Sequence, residues 1–131
     1  MPLQSRHLMD DGMNFTLSSI KRHYKVTNVE VLHREFFYAL LEVERSGTLP
    51  NLRVYVADVY ILTADDVAQI VSKYPNINSI VVISNWNQYT NKAKELAKEY
   101  NVGVFTFSEF MRALNYGGKR FLETGDPKET E

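Results

Sequence analysis

The chain has 131 residues, enough for one domain whose core needs no disulfide or metal staple. Its 15 basic and 16 acidic side chains leave a formal charge of −1, so no global field draws it to nucleic acid or to an anionic membrane. Cysteine is absent, which excludes disulfides, thiol catalysis and cysteine-ligated zinc.

Residues 1–13 are polar and unpatterned and predict a flexible N-terminal arm. From Phe15 to Lys25, the residues Leu17, Ile20 and Tyr24 recur on one helical face behind Thr16 or Ser18, which predicts a short first helix. Val26 to His33 is rich in β-branched residues and predicts a strand. Glu35 to Arg45 alternates, with Phe37, Ala39, Leu41 and Val43 on one face and Tyr38, Leu40, Glu42 and Glu44 on the other, which is again a strand. The turn cluster SGTLPN, residues 46–51, makes a hairpin into Leu52 to Leu62, a strand apolar on both faces and therefore central.

Thr63 opens a helix with Asp66 three residues on, and Val67, Ile70, Val71 and Tyr74 form its buried stripe before Pro75 ends it. Ser79 to Ser84 is a short apolar strand. Thr90 caps the next helix, whose stripe is Ala93, Leu96, Ala97 and Tyr100, and Asn101 closes it. Val102 to Phe107 is the last strand, and Ser108 caps a helix carrying Phe110, Met111 and Leu114. Residues 117–131 are polar and predict a disordered tail. One α/β domain over residues 14–116 follows, in the order α-β-β-β-α-β-α-β-α. Its early strands form an antiparallel meander, and its later ones need parallel crossovers, so a mixed sheet is flanked by helices. No apolar run reaches the length of a membrane span and the N-terminus lacks an apolar signal core, so the expectation is a cytoplasmic protein with no membrane partner.

Several residue groups carry potential chemistry. Asp58 lies among apolar neighbours, where an ionised carboxylate is costly without a partner. It reads as a metal or substrate ligand, as a carboxylate paired with a buried Arg, Lys or Tyr hydroxyl, or as a residue at an edge. The segment Asn85-Trp86-Asn87-Gln88-Tyr89 follows the carboxyl end of a strand and leads into a helix N-terminus, the usual place for a ligand of an open α/β sheet. There the first N–H groups after Thr90 can hold a phosphate, and Trp86 and Tyr89 can stack on bases. Lys21, Arg22, His23 and Lys25 form one basic patch, and Lys92, Lys94 and Lys98 a second one diluted by Glu95 and Glu99. The three histidines, His7, His23 and His33, have no metal-ligand spacing.

Val81-Val82-Ile83-Ser84, followed by Tyr89-Thr90-Asn91-Lys92-Ala93-Lys94-Glu95-Leu96-Ala97, resembles one nuclease pattern. In the Mrr-type restriction endonuclease domain, a strand ending in Ser or Thr leads to a helix patterned F-T-x-x-A-x-x-x-A. The resemblance covers about 35 residues by motif and about 100 by element order. It implies the restriction-endonuclease-like, PD-(D/E)XK, fold. It also implies a site for Mg²⁺ or Mn²⁺ built from carboxylates, with a Lys two residues beyond the last one; hard divalent cations prefer such oxygen ligands and activate water for attack on phosphate. Asp58 falls on the first position of that last pair, with Glu42 and Glu44 as candidates for the earlier carboxylate, and Asp58 with Glu42 as the metal ligands. Tyr60 stands where the Lys is expected, with Lys73, Lys92 or Lys94 as candidates to reach in from a helix. The resemblance also implies DNA as a possible partner through Trp86, Asn87, Tyr89, Thr90, Lys92, Lys21 and Arg22, and a homodimer or another protein as further partners. Three functions stay open: a degenerate, non-catalytic nuclease-fold module that binds DNA or protein, a metal-dependent nuclease with a rearranged site, and an unrelated α/β partner-binding protein.

Overall fold

The computed structural model describes residues 2–83 and 88–126, and side chains from residue 12 onward. Its first element is a helix, α1 (Pro2–Arg22), so the segment expected as a flexible arm is instead the first half of a 21-residue helix. The second half explains why the helix docks: Met13, Leu17 and Ile20 repeat at helical spacing and are all buried.

Three strands follow as an antiparallel meander: β1 (Val26–Arg34), β2 (Tyr38–Arg45) and β3 (Leu52–Ala57). Glu35 to Phe37, expected inside a strand, form the β1–β2 turn, and Phe37 is exposed there. β3 stops at Ala57, five residues before its expected end. The rest of that run gives β4 (Ile61–Leu62), which leaves the main sheet and pairs with β6 (Gln88–Tyr89). Then come α2 (Ala64–Lys73), β5 (Ser79–Val82), α3 (Asn91–Glu99), β7 (Gly103–Thr106), α4 (Phe107–Ala113) and α5 (Gly118–Glu123). The tail expected to be disordered thus contains a helix, and Phe121 anchors it edge-to-face on Phe105 at 5.1 Å.

The main sheet has the order β1-β2-β3-β5-β7, with β3, β5 and β7 parallel. The parallel strands advance in one direction, and right-handed crossovers therefore put α2 and α3 on the same face. Leu40, Ala57, Ile80, Val82 and Val104 meet Val67, Val71, Ala93 and Ala97 there. Strand alternation turns Ala39, Leu41, Val43, Val54, Val56, Val81 and Phe105 to the other face, against α1, α4 and α5. The result is a mixed five-stranded sheet between two helical layers, with β3 central as its apolar faces demand.

Caps fix where the helices begin. Thr63 and Asp66 form the expected reciprocal capping box on α2, and the Thr90 hydroxyl accepts from Ala93 N–H at 3.0 Å. The α4 cap is Thr106 rather than Ser108, because Glu109 sits at its third position and completes a second capping box. No helix among the described residues is long and apolar enough to cross a membrane.

Candidate functional site

The carboxyl ends of β3 and β5 place Asp58 on the same side of the sheet as the junction of β6 and α3, which carries Tyr89 and Thr90. Asp58 follows the last residue of β3, and its N–H donates to Phe37 O at 2.9 Å. Ile83 N–H donates to Ala57 O at 3.0 Å, so the chain after β5 runs beside it. Asp58 is half-buried. Burial alone raises its carboxyl above the usual range, and no charged group contributes to the shift. Among the described residues no three acidic or histidine side chains gather where a metal ion would sit.

Glu42 and Glu44 are not part of this end of the sheet. Glu42 stands opposite Arg53 in the β2–β3 ladder and accepts from its Nε at 3.0 Å and its Nη2 at 2.9 Å. Arg53 is five residues before Asp58 on β3, so the Glu42 and Asp58 backbones lie about 16 Å apart. Two ligands of one Mg²⁺ contact it at about 2.1 Å each, and side chains of this length do not span that gap. Glu44 is two positions further away, exposed, and accepts from Asn28 Nδ2 at 2.8 Å. The residue opposite Asp58 is Phe37, not a carboxylate.

The three lysines considered as replacements also lie elsewhere. Lys73 sits with its Nζ 5.7 Å from the Tyr38 ring centroid and 5.4 Å from that of Tyr74. These rings belong to a stack on the β2–β3 side, where Tyr38 and Tyr55 lie 4.7 Å apart and the Tyr38 and Tyr74 hydroxyls share a hydrogen bond of 2.6 Å. Burial, with repulsion from the neighbouring phenols, pushes the Tyr55 hydroxyl up to about 12. Lys92 is exposed at the start of α3. Lys94 is buried, and its Nζ donates to Val104 O at 2.9 Å and Thr124 O at 2.6 Å, with Asp126 Oδ1 at 3.7 Å. Burial lowers its pKa, and the Glu109 and Asp126 carboxylates oppose that shift. Lys98 is paired with Asp126. The second basic patch is therefore divided into one buried, one paired and one exposed amine.

Of the nucleic-acid candidates, Trp86 and Asn87 lie outside the described residues. Tyr89 donates its hydroxyl to Glu109 Oε1 at 2.8 Å, the same oxygen that accepts Thr106 N–H at 3.0 Å. Burial and that carboxylate raise the Tyr89 phenol strongly. Thr90 is committed to its cap. Lys21 and Arg22 are exposed at the end of α1, on the sheet face opposite α3 and Lys92. The described members of this set, Tyr89, Thr90, Lys92, Lys21 and Arg22, do not form one continuous surface.

One residue of this region, Glu109, escaped sequence reasoning, and Lys94 was named there without its burial being foreseen. Glu109 is a polar hub joining Thr106 and Tyr89, and its signal was the Thr106-to-Glu109 spacing of a capping box. Buried Lys94 had no signal, because it reads as one of three lysines on a polar face. The surface around Asp58 includes an aromatic and apolar group: Phe37, Tyr60 and Ile61 are exposed, as are Val31 and Leu32 on the edge strand β1, with the charged Arg34 and Glu35 beside Phe37. No protein-family profile, no curated protein and no solved structure matches this chain.

Proposed function

We propose that this chain is a degenerate, non-catalytic domain of restriction-endonuclease-like architecture that acts by binding a protein partner. The observation that carries the reading is the separation of the carboxylates: Glu42 is held by Arg53 about 16 Å from Asp58. Asp58 has no second acid across the ladder and no lysine beside it among the described ion pairs. The architecture is supported by the antiparallel β1-β2-β3 meander continuing into parallel β5 and β7. A protein is favoured over DNA because the exposed groups around Asp58 are Phe37, Tyr60 and Ile61, side chains typical of protein interfaces, while the exposed basic residues are split between two faces.

The test is a cleavage assay on supercoiled, linear and branched DNA and on RNA, in Mg²⁺, Mn²⁺ or chelator, with Asp58→Ala alongside. The expected outcome is no metal-dependent cutting. Cutting that Asp58→Ala abolishes would establish a rearranged nuclease site and end the non-catalytic reading. For the partner, affinity capture with the wild-type chain and with Phe37→Ser should differ in a discrete bound protein. Saturable duplex binding at about 150 mM salt would move the assignment to DNA.

A further inference from the structure

We infer that a second site, separate from Asp58, takes a small oxyanion (a carboxylate or a phosphate) in the cleft beside Arg45. The cleft lies at the amino ends of the parallel strands: Leu52 opens β3, Asn78 precedes β5, and Asn101 lies two residues before β7. Its volume is about 240 Å³, and its wall includes Arg45, Asn51, Asn78, Asn101, Gly117 and Gly118. That is room for several waters at about 30 Å³ each, hence for a small anion.

Arg45 is only 6% exposed. Its Nε donates to Pro50 O at 3.0 Å, and its Nη1 donates to Leu114 O at 3.0 Å and Tyr116 O at 2.7 Å. Nη2 has no acceptor among the described residues. All three acceptors are neutral carbonyls, and no described carboxylate pairs with the guanidinium. Leu114 and Tyr116 follow the end of α4, where a cation complements the helix dipole, so a structural role accounts for Nε and Nη1. It does not account for the two hydrogens on Nη2, nor for a whole positive charge taken out of water without a counter-charge.

The rest of the wall is mixed: Pro50, Leu52, Phe121 and Leu122 are apolar, and three asparagines supply amides. Among the described residues no Asp or Glu lines the cleft. Asn78 Oδ1 already accepts from Arg53 N–H at 2.6 Å, which leaves its NH₂ group as a donor. Asn51 and Asn101 add further amides. Gly117 and Gly118 leave that side bare, and a Cβ at Gly118 would meet nothing within 4 Å. A buried guanidinium with neutral donors suits an oxyanion and not a cation. Nη2 is screened from solvent. The anion is therefore held by the guanidinium field and the amide donors that line the cleft.

The test is a ¹⁵N NMR titration of the full chain with sodium phosphate and, separately, sodium acetate, at constant ionic strength. The expected result is saturable shifts at Arg45 Nε–H and at the amides of Asn78, Asn101, Gly117 and Gly118 with at least one salt. Saturation by phosphate alone identifies a phosphorylated ligand, and by acetate alone a carboxylate such as a peptide terminus. Shifts that do not saturate, or that spread over the exposed lysines, overturn the site. Arg45→Ala removes three structural hydrogen bonds and can fail to fold, so Asn51→Asp supplies the second arm. It sets a carboxylate in the wall and should abolish saturable binding at an unchanged or higher Tm. Equal binding by Asn51→Asp also overturns the site.

Discussion

At the residue scale, single positions show how closely the core is determined. Gly103 opens β7 beneath Phe105, and a Cβ there would lie 2.4 Å from the ring, which Phe110 and Phe121 hold in place. Gly103→Ala should therefore destabilise the protein by about 1–3 kcal/mol, read from the urea midpoint. Ser79 is the converse case. Its hydroxyl is completely buried without a partner among the described residues, so Ser79→Ala should stabilise by about 1 kcal/mol in the same assay. His23 links the end of α1 to α4: its Nδ1 accepts from Lys25 N–H at 3.1 Å, so Nε2 carries the hydrogen and donates to Met111 O at 2.9 Å. Burial is the largest cause that lowers its pKa below 6.5, with Lys25 and Arg45 adding to it. The folded state thus favours the neutral ring. Its contribution is fully present above the unfolded value and is lost as pH falls through the folded one. Between about pH 8 and about pH 5 the Tm should fall more for the wild type than for His23→Gln, which has no proton to gain.

At the element scale, the edges of the sheet govern stability. β7 is an outer strand of the sheet, and its Val104 carbonyl receives the buried ammonium of Lys94. The same ammonium holds Thr124 O, and Phe121 packs on Phe105, so residues 118–126 fold back over this edge. Lys94→Met should expose the segment, with a loss of about 2 kcal/mol and faster amide exchange confined to α5 and β7. The Thr106 cap is a smaller and more local case: Thr106→Ala should cost about 1 kcal/mol and fray α4 only. Composition hid α5 from sequence reading, because glycines occupy its cap and first position and only Phe121 and Leu122 are apolar. Its stability comes from a ring contact made 16 residues away in the chain. β4 was hidden for a different reason. Leu52 to Leu62 reads as one apolar strand, yet the pairing partner of Ile61 and Leu62 is β6 and not β2 or β5.

At the scale of the whole molecule, the chain combines a covered edge at β7 with an open one at β1, beside the aromatic surface around Asp58. That arrangement carries the binding reading, while the ladder register removes the expected carboxylate pair. If the reading holds, Glu42→Gln should change stability by less than about 1 kcal/mol, since its pair with Arg53 is partly exposed, and should leave partner binding unchanged. The sequence by itself determined the α/β class, the antiparallel start and parallel finish of the sheet, and the Thr63 and Thr90 caps. These follow from local periodicity and from hydrogen bonds within three residues. It also flagged Asp58 as out of place among apolar neighbours. Only the tertiary structure decided which carboxylates meet. Register sets that distance, and Glu42 and Asp58, 16 positions apart across a hairpin, were consistent with several registers. The same holds for Lys94 and Arg45. As letters they are ordinary surface cations, and their burial exists only because strands distant in sequence present carbonyls that these side chains can reach.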